Sequence, residues 1–239
     1  MTHYKGIAAY YDLLMDAGYY DHKALATVVR SAIGKRKALL ELGVGTGRLA
    51  RELLTLDSTY DLVGIDFSAA MVEIAKRRLP SRVPVIECDV AEMHLDRKFD
   101  VAISSGGTWV IIQSGNELQL GTHLFDHKKD LCGLQNVARH LDPGGLLLLS
   151  VHPPHEDRDL ELSDGIVYSQ TIDGRAGTSD HYSLEKSYYF KRNGTILAEE
   201  TLTLGFYESK MFLRMLANVG FEPLGMTETE EFFIFEKAA

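Results

Sequence analysis

The sequence predicts an α/β protein: a mostly parallel sheet with helices on both faces, carrying an antiparallel β insertion after its fifth strand. Three observations lead there. Strand-like and helix-like runs alternate from residue 37 to residue 151, the pattern of βαβ units. From about 152 to 206 no long helical stripe occurs, only successive β-rich runs. One helix and two strands then close the chain. With 239 residues, 45% of them hydrophobic, the chain suits one well-buried core. A single domain over 1–239 is expected, with 152–206 as the antiparallel insertion within it.

Each element has a local reason. "KALLELG" (37–43) is a short apolar strand, and "RLARELLTL" (48–56) places Leu49, Leu53, Leu54 and Leu56 at helical spacing. "YDLVGID" (60–66) is the second strand; Ser68 is an N-cap for the helix "AAMVEIAKRRL", which Pro80 stops. "VPVIEC" (83–88) and "FDVAIS" (99–104) are the third and fourth strands. Leu131, Leu134, Ala138 and Leu141 mark a helix ending near Pro143, before the central strand "GLLLLSV" (145–151). The segment 106–125, partly apolar and long, is expected to be a lid. In the insertion, Asn193-Gly194 signals a tight hairpin. "ESKMFLRMLANVG" reads as a helix with Gly220 as its stop, followed by "FEPLGMTE" and "EEFFIFEKA" as strands.

Composition excludes several partner classes. The formal net charge of −9 repels phosphate backbones, so no nucleic-acid partner is expected. No apolar run reaches the roughly 18 residues of a membrane span and no secretory leader is visible, so no membrane partner and a cytoplasmic location are expected. Cys88 and Cys132 lie in apolar stretches and show no disulfide or zinc spacing.

The most informative stretch is "LLELGVGTGRLA" (39–50). A strand-to-helix turn in a parallel sheet faces the ligand crevice. Gly43 and Gly45 let the backbone bend and approach a ligand without a Cβ. The dinucleotide fingerprint G-x-G-x-x-G needs glycine at 48, where this chain has Arg48, and its third glycine is at 47. Three acids, Glu41, Asp66 and Asp89, sit at or near the ends of three consecutive strands. That set suits a cationic, hydroxyl-rich ligand and suits a pyrophosphate poorly.

Here the chain resembles the class I S-adenosylmethionine-dependent methyltransferases. The resemblance rests on "ELGVGTG" (41–47), "VGIDFS" (63–68), "ECDVAEM" (87–93), "FDVAISS" (99–105) and "LDPGGLLLLSV" (141–151), in that order. It implies a Rossmann-like seven-stranded sheet with its last strand antiparallel, S-adenosyl-L-methionine as cofactor and S-adenosyl-L-homocysteine as product. Carried over by position, Glu41, Gly43, Gly45 and Gly47 hold the methionine end and the sulfonium. Asp66 takes the ribose hydroxyls, Asp89 accepts from the adenine amino group, and the Val90 N–H donates to the ring. The Ser104 backbone lies by the methionine amino group, while Phe67 and Met71 complete the cofactor surface. Tyr11, in "YYDLLMD", resembles an N-terminal tyrosine that closes over the cofactor and is counted with the catalytic residues.

The acceptor is less legible. Methyltransferases of nucleobases and amides carry an acid, serine or asparagine before Pro-Pro-aromatic after the fourth strand; this chain has "SSGGTW" there. Catechol-type enzymes place Mg²⁺-binding carboxylates at that point, and this chain has none. The insertion resembles that of small-molecule N-methyltransferases acting on amino sugars and on glycine, where it roofs the acceptor site. The expected function is methyl transfer to a small-molecule acceptor, at nitrogen, in secondary metabolism. O- or C-methylation, an NAD(P)-dependent oxidoreductase and a non-catalytic cofactor-binding module are the alternatives. His152, just past the central strand, is the candidate catalytic base, or else a positioning residue. Trp109, His152, His181 and Tyr182 are the acceptor-binding candidates, with Tyr168, Tyr188, Tyr189 and Phe190 as further aromatics. His123 and His127 are four apart but suggest no third ligand, so no metal is expected. A monomer or homodimer is expected.

Overall fold

The structure, a computed structural model, describes Tyr4 and residues 6–238; the outermost positions of the expected 1–239 span lie outside the described residues. In chain order the elements are α1 (Ala8–Asp16), α2 (His22–Ile33), β1 (Ala38–Leu42), α3 (Arg48–Leu56), β2 (Asp61–Asp66), α4 (Ala69–Arg78), β3 (Val85–Glu87), β4 (Phe99–Ser104), β5 (Trp109–Ser114) and β6 (Glu117–Thr122). They continue with α5 (His127–His140), β7 (Leu141–His152), β8 (Arg158–Glu161), β9 (Ile166–Gly177), β10 (His181–Arg192), β11 (Thr195–Glu208), α6 (Ser209–Asn218), β12 (Phe221–Met226) and β13 (Phe232–Lys237).

Seven strands pair in the order β3-β2-β1-β4-β7-β13-β12. The first five are mutually parallel, and β13 runs antiparallel to β7, as expected of the Rossmann-like sheet. The period of two along each strand divides the apolar residues between two cores. Leu39, Val101, Ile103, Leu146 and Leu148 pack with Ala26 and Val29 of α2, Leu53 of α3 and Val72 of α4. Their neighbours Leu40, Ala102, Leu147 and Leu149 face the other way, onto Leu134 and Val137 of α5 and Phe212 and Leu216 of α6. A strand such as "LLLL" at 146–149 is therefore apolar throughout because both its faces are covered.

The second layer differs from the sequence reading. Segment 106–125 is not a lid: it contains the hairpin β5–β6, turning at Gly115 (φ 59°). Strand β6 pairs antiparallel with β11, and β5 pairs with the tip of β7 through Ile111↔Val151 and Ile112↔His152. The antiparallel sheet β5-β6-β11-β10-β9-β8 is thus fed from two points in the chain, after β4 and after β7. The alternation was present: Val110 and Ile112 face the antiparallel layer, whereas Trp109 and Ile111 face the parallel one. The expected hairpin between β10 and β11 turns at Asn193 (φ 49°) and Gly194 (φ 78°), both left-handed as a type I′ turn requires.

Buried Asp130 on α5 ties the layers together. It accepts from Trp109 Nε1 (2.7 Å), Thr122 Oγ1 (2.6 Å) and the Tyr207 hydroxyl (2.8 Å), joining α5 to β5, β6 and β11. Burial pushes its pKa up, and these three donors pull it back. Two N-terminal helices were not anticipated. Asp21 caps α2 by accepting from the Lys23 and Ala24 N–H groups. Helix α1 buries Leu14 and Met15 under the antiparallel sheet, in a third core with Val110, Tyr168, Phe190 and Leu204.

Candidate active site

The turn after β1 is built from three left-handed glycines, Gly43 (φ 70°), Gly45 (φ 53°) and Gly47 (φ 78°). The N–H groups of Gly43 and Val44 both donate to Ile65 O at 2.9 Å, which docks the turn against the end of β2. Gly43 approaches Gly107 so closely that a Cβ on it would lie 2.7 Å from Gly107 Cα. Asp66 then locks the arrangement. Its Oδ2 accepts from the Gly45 N–H (2.8 Å) and its Oδ1 from the Ser68 N–H (2.9 Å). Burial raises the Asp66 pKa against these two bonds.

A cleft of about 650 Å³ opens over this turn at the carboxyl ends of the strands. Glu41, Gly43, Gly45, Asp66, Phe67, Met71 and Tyr11 all line it. Asp89 and Val90 line an adjoining recess that shares Gly43, Asp66, Phe67, Thr108 and His123 with the cleft. Asp89 is already engaged: Oδ1 accepts from Ala91 N–H (2.9 Å) and Oδ2 lies 3.1 Å from Lys129 Nζ. Two expected residues stand behind the wall. Gly47 caps α3, and a Cβ there would meet Ala75 and Leu79 at 3.2 Å, so its smallness serves helix packing. Ser104 is fully buried and its Oγ accepts from Trp109 N–H (3.0 Å); Ser105 to Thr108 form the wall instead.

Sequence reasoning missed much of the cover. Tyr4, Tyr20 and His22 line the cleft beside Tyr11. Asp12 fastens α1 to the glycine turn by accepting from Thr46 Oγ1 (2.8 Å), Arg48 Nε (2.8 Å) and Arg78. Burial works to raise the Asp12 pKa, but these donors outweigh it and hold the carboxylate ionised. Arg48, the residue that breaks the dinucleotide pattern, is thereby used to hold a helix over the cleft. Burial pushes the Tyr11 phenol well up, so Tyr11 can shield and donate a hydrogen bond but stays protonated.

A second chamber of about 500 Å³ adjoins the cleft, sharing Tyr4, Tyr11, Tyr20, Gly106 and His123 with it. His152 lies here, with Tyr19, His155, Lys186 and Tyr188. His152 Nε2 sits 2.8 Å from Ser150 Oγ, which itself accepts from Gly106 N–H (3.0 Å). Burial, then the charges of Lys186 and His123, pull His152 down to about 4. It is therefore a neutral imidazole at neutral pH and a weaker base than its sequence position suggested.

Three acceptor-binding candidates are not in this chamber. Trp109 is 0% exposed and belongs to the core, because its indole N–H reaches Asp130. His181 stacks on Tyr207 (4.3 Å, 3°) on the far side of the antiparallel sheet. Tyr182 donates to Gln119 Oε1 (2.9 Å) and stacks on Phe206 (5.1 Å).

Glu41 provides a test of what the cleft holds. It is 3% exposed, and its Oε2 has no hydrogen-bond partner among the described residues. Burial, then the charge of Asp66, raises its pKa from 4.5 to about 8, with the Ala50 N–H pulling it back. A buried carboxyl without a partner, in an acid-lined cleft, fits a cationic ligand. In the free protein this shift lowers stability as pH rises from 4.5 through about 8. A cation in the cleft reverses the shift, so binding of S-adenosylmethionine near neutral pH is expected to release a proton. Affinity then rises with pH up to about 8. Calorimetry in buffers of different ionisation heat reads the release directly, and it should vanish in Glu41→Gln. A binding enthalpy independent of the buffer would remove Glu41 from the ligand's surroundings.

Comparisons with known proteins agree with this geometry. A family described as a methyltransferase domain matches residues 39–145. A malonyl-[acyl-carrier protein] O-methyltransferase of Bacillus cereus is 24% identical, the alignment covering 91% of this chain and 78% of that protein. A dTDP-4-amino-2,3,4,6-tetradeoxy-D-glucose N,N-dimethyltransferase of Saccharopolyspora spinosa is 31% identical over 51% of this chain and 43% of its own. Among solved structures, the sugar N-methyltransferase KedS8 from Streptoalloteichus superposes with a TM-score of 0.65 at 21% identity, covering 96% of this chain and 93% of that one.

Proposed function

We propose that this chain, whose residues 39–145 match a methyltransferase domain, is a class I S-adenosylmethionine-dependent methyltransferase that methylates a nitrogen of a small-molecule acceptor bound in the second chamber. The cofactor supplies a methyl group already activated by the positive sulfur. Glu41, the Gly43–Gly45 backbone and Asp66 would hold it in the cleft, with Phe67 and Met71 against its surface and Asp89 and Val90 around its base. What remains for the chain is alignment, exclusion of water and a free lone pair on the nucleophile.

One observation carries the reading: among the described residues, the chamber beside the cleft is lined by apolar side chains, tyrosines, histidines and one lysine, and by no carboxylate. An ammonium nitrogen turned toward the cleft meets no carboxylate of the chamber wall and approaches the positive sulfur of the cofactor. Its pKa falls, and the neutral, nucleophilic amine is favoured. His152 and His155, drawn down to about 4 and about 3, chiefly by burial, offer hydrogen bonds to such an amine without adding charge. Tyr4, Tyr11 and Tyr20 stand where the chamber and the cleft meet and keep water from the reacting line. The 31% identity to an amino-sugar N,N-dimethyltransferase over half of the chain supports the choice of nitrogen.

Methyl transfer to a panel of small amines, phenols and acyl-carrier-linked carboxylates, followed by mass, tests this. N-methylated product from at least one amine is expected. Turnover of a phenol or a carboxylate with none on any amine would overturn the nitrogen assignment and favour the reaction named for the Bacillus relative.

A further inference from the structure

Lys186 lines the second chamber and is only 2% exposed. Lysine is almost never that buried without a carboxylate partner. Among the described residues none pairs with it. Glu200, opposite Tyr188 on β11, instead accepts from the Tyr4 N–H. The neighbours of Nζ are His155 Nδ1 at 3.4 Å, the Tyr19 hydroxyl at 3.5 Å and the Tyr188 ring at 5.0 Å. An ammonium carries three N–H donors, and two contacts this long do not replace its lost hydration. Nor is its direction accidental. Lys186 shares the inward face of β10 with Tyr182, Tyr188 and Phe190, all buried, whereas Glu185 points out. Burial draws Lys186 down only to about 8, so it keeps its charge near neutral pH and cannot take a proton from an acceptor amine. The missing counter-charge must arrive with whatever fills the chamber.

We propose that the acceptor carries, apart from its nucleophilic nitrogen, an anionic group, a carboxylate or a phosphate, and that Lys186 receives it with His155 alongside. This rests on the assignment of the second chamber as the acceptor site. The anion supplies the acceptor's orientation, and the neutral amine is left to face the cleft. Lys186 is then a specificity-determining residue that sequence reading passed over.

The test uses the full chain labelled with ¹³C-lysine and saturated with S-adenosylhomocysteine, titrated separately with acetate and with inorganic phosphate. The Lys186 signal is identified by its loss in Lys186→Met. A saturable shift of that signal with at least one anion is expected. Acetate alone would point to a carboxylate, phosphate alone to a phosphate ester. Lys186→Met should weaken that anion roughly 30-fold or more, while Lys186→Arg retains it and both variants bind S-adenosylhomocysteine as before. The proposal is overturned if neither anion moves the Lys186 signal, or if Lys186→Met binds both anions as well as the parent chain. The outcome is independent of which atom is methylated. A phenol-only product would end the nitrogen assignment and leave the anion result intact.

Discussion

Gly43→Ala is expected to abolish cofactor binding and to lower the melting temperature by on the order of 5–15 °C. Two costs add. Gly43 sits at φ 70°, and an L-residue held there loses about 1–2 kcal/mol. Its new Cβ would also lie 2.7 Å from Gly107 Cα and 3.0 Å from Thr108 N, backbone atoms that cannot swing aside. Overpacking of that kind costs a further ~1–3 kcal/mol. The contact is reciprocal, since a Cβ on Gly107 would meet Leu42 O at 2.5 Å. The loops after β1 and β4 therefore part together, and both walls of the cleft move. Gly45→Ala is the informative contrast: the same left-handed strain applies at φ 53°, but nothing lies within 4 Å of its Cβ. It should fold with a small loss of stability. Thermal melts and calorimetry on the two variants check this, and equal melting temperatures for Gly43→Ala and the parent chain would contradict the close-approach argument.

Asp66→Ala is expected to weaken the cofactor by about 1–3 kcal/mol, roughly 5- to 150-fold. The carboxylate is the acceptor expected for the ribose hydroxyls, and it also holds the Gly45 and Ser68 N–H groups. Removing it leaves two donors unpaired at the mouth of the turn. Calorimetry with S-adenosylhomocysteine on a variant with an unchanged circular dichroism spectrum measures the loss. Unaltered affinity would remove Asp66 from the binding set.

The parallel half of the molecule was legible because its determinants are local. Ser68 as a cap and Asn193-Gly194 as a turn act within a few residues of themselves, and the glycines at 43 and 45 and the acids at 41, 66 and 89 each stand at or near the end of a strand that its own apolar run makes visible. The rest depends on partners far along the chain. Trp109 is core because Asp130, 21 residues later, needs its N–H, and no window around Trp109 reveals that. Asp12 acquires its role from Arg48 and Arg78, which only the fold brings to it. Two signals were present and unread. Gly115-Asn116 between alternating apolar runs marks a hairpin where a lid was expected. In "YSLEKSYYF", Lys186 falls on the apolar face of a period-two strand, where a charge needs a reason.

The most direct measurement of the central claim is a crystal structure of the chain with S-adenosylhomocysteine. The ribose diol should lie within hydrogen-bonding distance of Asp66, with the amino-acid end over Gly43–Gly45 beside Glu41. A nucleoside turned the other way, or held elsewhere with Glu41 and Asp66 untouched, would contradict the account.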